Sequence, residues 1–130
     1  MGFDKISNGA PGIETLLSLV YSEGVNAGRI TVERMVDLLS TTPAARFGLA
    51  GKGALEVGRD ADIILFDPGA HGIIRASELH HTSDYTPYEG LATRGAVRDV
   101  FVRGTDVVRG GVFVGRRGAG SFIERGPIAG

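Results

Sequence analysis

Gly58-Arg59-Asp60-Ala61-Asp62-Ile63-Ile64-Leu65-Phe66-Asp67-Pro68 is the stretch that decides how this chain must fold. Four consecutive apolar side chains follow a Gly-Arg-Asp turn, so residues 61–67 read as a strand, and Pro68 ends it. Side chains alternate between the two faces of a strand, so a run that is apolar at every position needs cover on both sides. Little else in the 130 residues offers that cover.

Upstream, Ser7-Asn8-Gly9-Ala10-Pro11-Gly12 is a run of turn formers and reads as a loop. Ile13, Leu16, Leu17 and Val20 then fall on one helical stripe that Gly24 closes. Val32, Met35, Val36 and Leu39 repeat the spacing behind Thr31, an N-cap residue. Thr42-Pro43 opens a short third helix and Gly48 stops it. Downstream, residues 71–75 read as a second strand and 76–92 as irregular. Residues 97–103, 106–109 and 112–114 are β-rich and are joined by Gly104-Thr105 and Gly110-Gly111, connections that close hairpins. Residues 118–130 are glycine-rich and read as an extended tail. Three single-striped helices cannot bury an all-apolar strand on both faces, so the expected class is an α+β fragment, the end of a larger fold.

Composition removes several function classes. Cysteine is absent, which excludes disulfides, thiolate metal sites and a cysteine nucleophile. The longest apolar run is four residues, far below the roughly 20 that a membrane-spanning helix needs. Met1-Gly2-Phe3-Asp4-Lys5 lacks the basic-then-apolar pattern of a secretory signal, so a cytoplasmic location and no membrane partner are expected. Net charge is −1, but residues 1–90 carry 7 basic and 12 acidic groups, against 7 and 3 in residues 91–130. All seven C-terminal cations are arginines: Arg94, Arg98, Arg103, Arg109, Arg116, Arg117 and Arg125. They are dispersed and lack interleaved aromatics, so strand faces or subunit contacts are expected rather than nucleic acid.

No catalytic set is complete. His80 and His81 are adjacent, so on a strand or a helix they diverge, which makes joint chelation awkward. Asp60 and Asp62 share a strand face, but the turn beside them favours carboxylates that accept backbone N–H bonds. Gly51-Lys52 is followed by Gly53 rather than Ser or Thr, which departs from a phosphate loop.

Taken in order, Phe3-Asp4-Lys5-Ile6-Ser7-Asn8-Gly9-Ala10-Pro11-Gly12-Ile13-Glu14-Thr15, Tyr21-Ser22-Glu23-Gly24-Val25, Thr42-Pro43-Ala44, the 58–68 stretch and Asp84-Tyr85-Thr86-Pro87-Tyr88-Glu89-Gly90 resemble the last part of the cyclic amidohydrolases. The Asn-Gly loop and the Asp84–Gly90 segment resemble the dihydropyrimidinase and D-hydantoinase branch. The resemblance implies a C-terminal fragment with three parts: helices from the end of a TIM-type (β/α)8 barrel in residues 1–50, strands of a small composite β-sandwich in 51–114, and an extended tail in 115–130.

The implied chemistry is ring opening of a cyclic amide or ureide by hydroxide held between two zinc ions or similar metals, with an aspartate moving the proton. The family's metal ligands and catalytic aspartate lie upstream of the matched segment. No residue here is therefore a metal ligand or catalytic residue, and the chain is expected to be inactive alone. One position carries over: Asn8, whose backbone carbonyl accepts the substrate ring N–H in the family. Ser7 stands where the family commonly has proline, and Leu16 and Ser18 lean towards the dihydroorotase and allantoinase branches. Expected partners are the missing N-terminal part, further copies in a tetramer, and the cyclic amide. A non-catalytic, dihydropyrimidinase-related scaffold is the alternative.

Overall fold

The computed structural model describes residues 9–127. Two helical runs precede a four-stranded antiparallel sheet, as the α+β class requires. The first run is α1 (Leu16–Leu19), continued by a π-helical segment, Val20–Asn26. Gly24 does not end it: the chain passes through, and the Gly24 carbonyl accepts from the N–H groups of Arg29 and Ile30 at 2.8 and 3.2 Å. The turn out of the helix falls at Gly28, where φ is +71° and glycine carries no steric penalty.

The second run joins what the sequence divides into two helices. It comprises α2 (Val32–Val36), a π-helical segment Asp37–Thr41, and α3 (Thr42–Arg46). Thr31 caps its start, accepting from the Arg34 N–H at 3.2 Å. Thr42 is not a cap. It lies inside the helix and its hydroxyl donates to Asp37 Oδ1 at 2.8 Å. Pro43 brings no N–H to the ladder, and the wider i→i+5 turn just before it, Thr42 N–H to the Asp37 carbonyl, absorbs that loss without a break. Gly48, at φ +65°, follows as the expected stop.

The sheet is a meander in the order β1 (Ile63–Ile73), β2 (Ala92–Val102), β3 (Thr105–Arg109), β4 (Val112–Phe113). Pro68 does not end β1. Pairing shifts between Asp67 and His71, and Pro68 sits in that bulge, where a missing N–H costs no ladder bond. Asp67 Oδ1 accepts from the Gly69 N–H at 2.8 Å and shapes the turn, so the expected strands at 61–67 and 71–75 are one bulged strand. The first hairpin turn is Arg103-Gly104 rather than Gly104-Thr105, with φ of +49° and +75°. A type I′ turn needs two positive φ angles, and Arg103 is held there by its N–H on Asp62 Oδ1 at 2.8 Å. Its guanidinium also binds Ser121 Oγ and the Ala119 carbonyl, tying down the segment after β4.

The two layers do not close on each other. Met35, Ala44 and Ile74 are the buried apolar residues, and a groove of about 660 Å³ runs between the helices and the sheet, lined by Leu17, Tyr21, Val36, Leu39, Phe66 and Phe101 among others. In the all-apolar run, Ile63 and Phe66 are half-buried, while Ile64 and Leu65 remain 51% and 37% exposed. The accessible surface is 9591 Å². A compact chain of 13.6 kDa exposes roughly 6,600 Å².

Candidate functional site

The two stretches that carry the resemblance most specifically touch each other. Residues 9–15 enter α1 with neither helix nor strand of their own before Leu16, and their shape comes from outside. The Tyr85 hydroxyl donates to the Gly9 carbonyl. Gly12 faces the Tyr88 ring so closely that a Cβ there would touch its Cε2 and hydroxyl at 3.8 Å. Glu14 makes two bonds with His80: Oε2 accepts from the backbone N–H and Oε1 meets ring Nδ1, each at 2.8 Å. Thr15, buried, donates its hydroxyl to the Gly12 carbonyl at 3.2 Å.

The segment that supplies these contacts, residues 74–91, is itself closed. Ile74 N–H donates to the Leu91 carbonyl at 3.0 Å and Gly90 N–H to the Ile74 carbonyl at 2.9 Å. Glu89 reaches back to the Ala76 N–H at 2.7 Å, and Thr86 is buried beneath the turn. Desolvation pushes the Glu14 carboxyl up, but the His80 ring and backbone N–H, with the charges of His80 and His81, together outweigh it and leave it below its ordinary value. Both ring nitrogens of His81 are shut off from solvent without a hydrogen-bond partner among the described residues. Glu14 and Tyr85 are contacts that sequence reasoning missed. The only signal for them is their place in the stretches that carry the resemblance, Glu14 beside Ile13 at the start of the expected helix and Tyr85 in a segment that reads as irregular.

A second polar cluster lies at the foot of β1. Lys52 Nζ binds Asp60 Oδ2 at 2.8 Å and also Asp62, whose other oxygen holds the Arg103 N–H. Arg59 donates to the Ala50 and Lys52 carbonyls at 2.6 and 2.9 Å and to Glu56 at 2.7 Å, latching the loop. Asp62 is thus an acceptor of a backbone N–H, and Lys52 is committed to two carboxylates rather than left for a phosphate.

The hydrogen bonds that Lys52 donates to Asp60 and Asp62 raise its amine above its ordinary value. Burial raises the Asp62 carboxyl, but Lys52 and the Arg103 N–H outweigh that and lower it. A lowered carboxyl stabilises the fold above its unfolded pKa and loses that contribution as pH falls through the folded value. A raised amine stabilises below its unfolded pKa and loses it as pH rises through the folded value. Lys52→Met is therefore expected to lower stability by about 1 kcal/mol between roughly pH 4 and pH 10 and to flatten both limbs. Denaturant midpoints measured across pH check this, and an unchanged pH profile would contradict it.

Asn8 lies outside the described residues, immediately before Gly9. Among the described residues no three His, Asp or Glu side chains gather as a metal-binding group, so they do not fit the two-metal centre that the resemblance implies, and no step through a metal is built from them. No helix among them is long and apolar enough to cross a membrane. Of the arginines, Arg98 pairs with Asp99 at 2.8 Å and Arg109 with Asp106, on strand faces.

The model of the Amidohydrolase family matches residues 1–107. The chain belongs to the amidohydrolase family. It is 45% identical over 124 residues to the D-hydantoinase of Geobacillus stearothermophilus, which covers 95% of this chain and 26% of that protein. It is 41% identical over 127 residues to the D-phenylhydantoinase of Escherichia coli (strain HS), covering 97% of this chain and 28% of that one. Among solved structures, a D-hydantoinase superposes with a TM-score of 0.91 at 44% identity, over 95% of this chain and 27% of that chain. The L-hydantoinase (dihydropyrimidinase) from Arthrobacter aurescens gives 0.88 at 38%, over 92% and 27%. This amidohydrolase chain thus spans about a quarter of the length of these relatives.

Proposed function

We propose that the chain is the C-terminal quarter of a metal-dependent hydrolase that opens cyclic amides and ureides, with hydantoins and dihydropyrimidines as the first substrate class. The observation that carries the reading is the likeness to D-hydantoinase over 95% of this chain and only 26% of that protein. The open groove and the half-covered β1 support it, because both describe surfaces built to receive more protein. In this reading residues 1–50 end a TIM-type barrel, 51–114 supply strands of a composite sandwich, and 115–130 form a tail at a subunit contact of a tetramer.

The two metals and the catalytic aspartate belong to the upstream part, which gives this chain no turnover by itself. The chain's own contribution to substrate binding is the Asn8 backbone carbonyl, an acceptor for the ring N–H. Backbone recognition suits a loop followed by Gly9 and Gly12, where little side chain stands between main chain and ligand.

The test starts from the complete native reading frame, expressed with divalent metal and assayed for opening of hydantoin, dihydrouracil, dihydroorotate and allantoin. Metal-dependent turnover of the first two is expected. Turnover confined to the last two would move the substrate to the dihydroorotase or allantoinase class, and none at all would favour the non-catalytic scaffold.

A further inference from the structure

We propose that Tyr85 is a positioning residue: with the Glu14–His80 pair it holds residues 9–14, which follow Asn8 in the sequence, in one arrangement preset for the substrate. The proposal rests on the hydrolase reading above. Three ties reach this short stretch from one segment: Tyr85 on the Gly9 carbonyl, Tyr88 against Gly12, and His80 on Glu14. The stretch itself, Gly9-Ala10-Pro11-Gly12-Ile13-Glu14, has two glycines and no regular backbone ladder, so little of its own chemistry fixes its path.

The requirement comes from the kind of recognition. A backbone carbonyl cannot be re-aimed by changing a rotamer, so its position is only as good as the peptide units beside it. Gly9 is the next residue after Asn8, and its carbonyl is the one Tyr85 grips. Tyr85 sits on a segment fastened at its base by the Ile74–Leu91 and Ala76–Glu89 bonds, so it brings a fixed reference point to a stretch without helix or strand of its own.

Tyr85→Phe removes the hydroxyl and keeps the ring, and it is made in the protein expressed from the complete reading frame. Two readouts are taken: steady-state kinetics on dihydrouracil or hydantoin, and amide hydrogen exchange. KM is expected to rise about tenfold with kcat changed far less, the size expected when one hydrogen bond's ordering effect is lost. Exchange at residues 9–14 is expected to speed up, with β1 to β4 unaffected. His80→Ala is expected to move both readouts the same way, and His80→Asn, which keeps a side-chain donor near Glu14, to restore part of the loss.

Faster exchange with KM unchanged would overturn the proposal, since Tyr85 would then be a structural tie only. Unchanged exchange and unchanged KM would overturn it as well. Absence of turnover in the unsubstituted protein would instead overturn the hydrolase reading, and the substrate role of Tyr85 with it. An active parent with an unaltered Tyr85→Phe variant sinks this inference alone.

Discussion

Gly95→Val is expected to detach the helical layer from the sheet. Gly95 lies in β2 opposite the bulge of β1, with φ of +76°, and it is buried. A Cβ there would fall 2.6 Å from Tyr21 Cδ1 and nearer still to the Phe66 ring, and both rings are wedged, since their centroids stand 4.7 Å apart. Ser22 accepts the neighbouring Arg94 N–H at 3.1 Å, so the same few residues join helix to strand. Left-handed strain of about 1–2 kcal/mol adds to an overpacking cost of about 1–3. Against a typical stability of about 5–15 kcal/mol, that is a large share. Gly104→Ala is the control, because its φ is similar, +75°, and a Cβ there meets nothing within 4 Å. Denaturant midpoints of the protein expressed from the complete reading frame should show a loss at Gly95 at least twice that at Gly104, and equal losses would contradict the packing argument.

The isolated chain, dilute and pure, is expected to bind an exposed-hydrophobe dye strongly and to unfold over a broad transition. Among the described residues no large side chain is fully buried, and Ile64, Leu65 and the apolar groove face outward. The surface in excess of a compact chain is roughly 3,000 Å², within the range of obligate interfaces. Co-expression with the N-terminal three-quarters of a hydantoinase should quench most of the dye signal and sharpen the transition. A sharp two-state transition of a dilute monomer without dye binding would contradict this.

Much of the fold is legible in the sequence because it is local. The stripe of Leu16 to Val20, the stripe of Val32 to Leu39, the Thr31 cap and the C-terminal hairpins each rest on contacts a few residues apart, whereas Ile13, expected on the first stripe, lies in the turn before the helix and is 96% exposed. The misreadings sit where the structural surroundings override a local rule. Pro68 passes through a strand because a bulge spares it, and Gly24 lies within the helical run with Ile30 against it, its side chain 3.1 Å from where a Cβ would stand. Arg103 takes a left-handed turn position that its own side chain disfavours because Asp62 holds its N–H. The site is legible only in parts. Its two stretches are recognisable one by one, but no periodicity reports that Tyr85 meets Gly9 or that His80 meets Glu14, since both contacts span most of the chain's first ninety residues.

The meander order of the sheet has a kinetic consequence. β2, β3 and β4 are linked by two-residue turns, and such hairpins close in roughly 1–10 μs. β1 reaches β2 only across residues 74–91, and its pairing waits on a longer loop closure with a larger entropic cost. The sheet is therefore expected to assemble from its C-terminal hairpins backward, with β1, which carries the four-residue apolar run, as the late arrival. Until it docks, Ile63 to Phe66 travel unpaired, so the period in which the nascent chain is most open to wrong association is set by the speed with which the 74–91 loop closes.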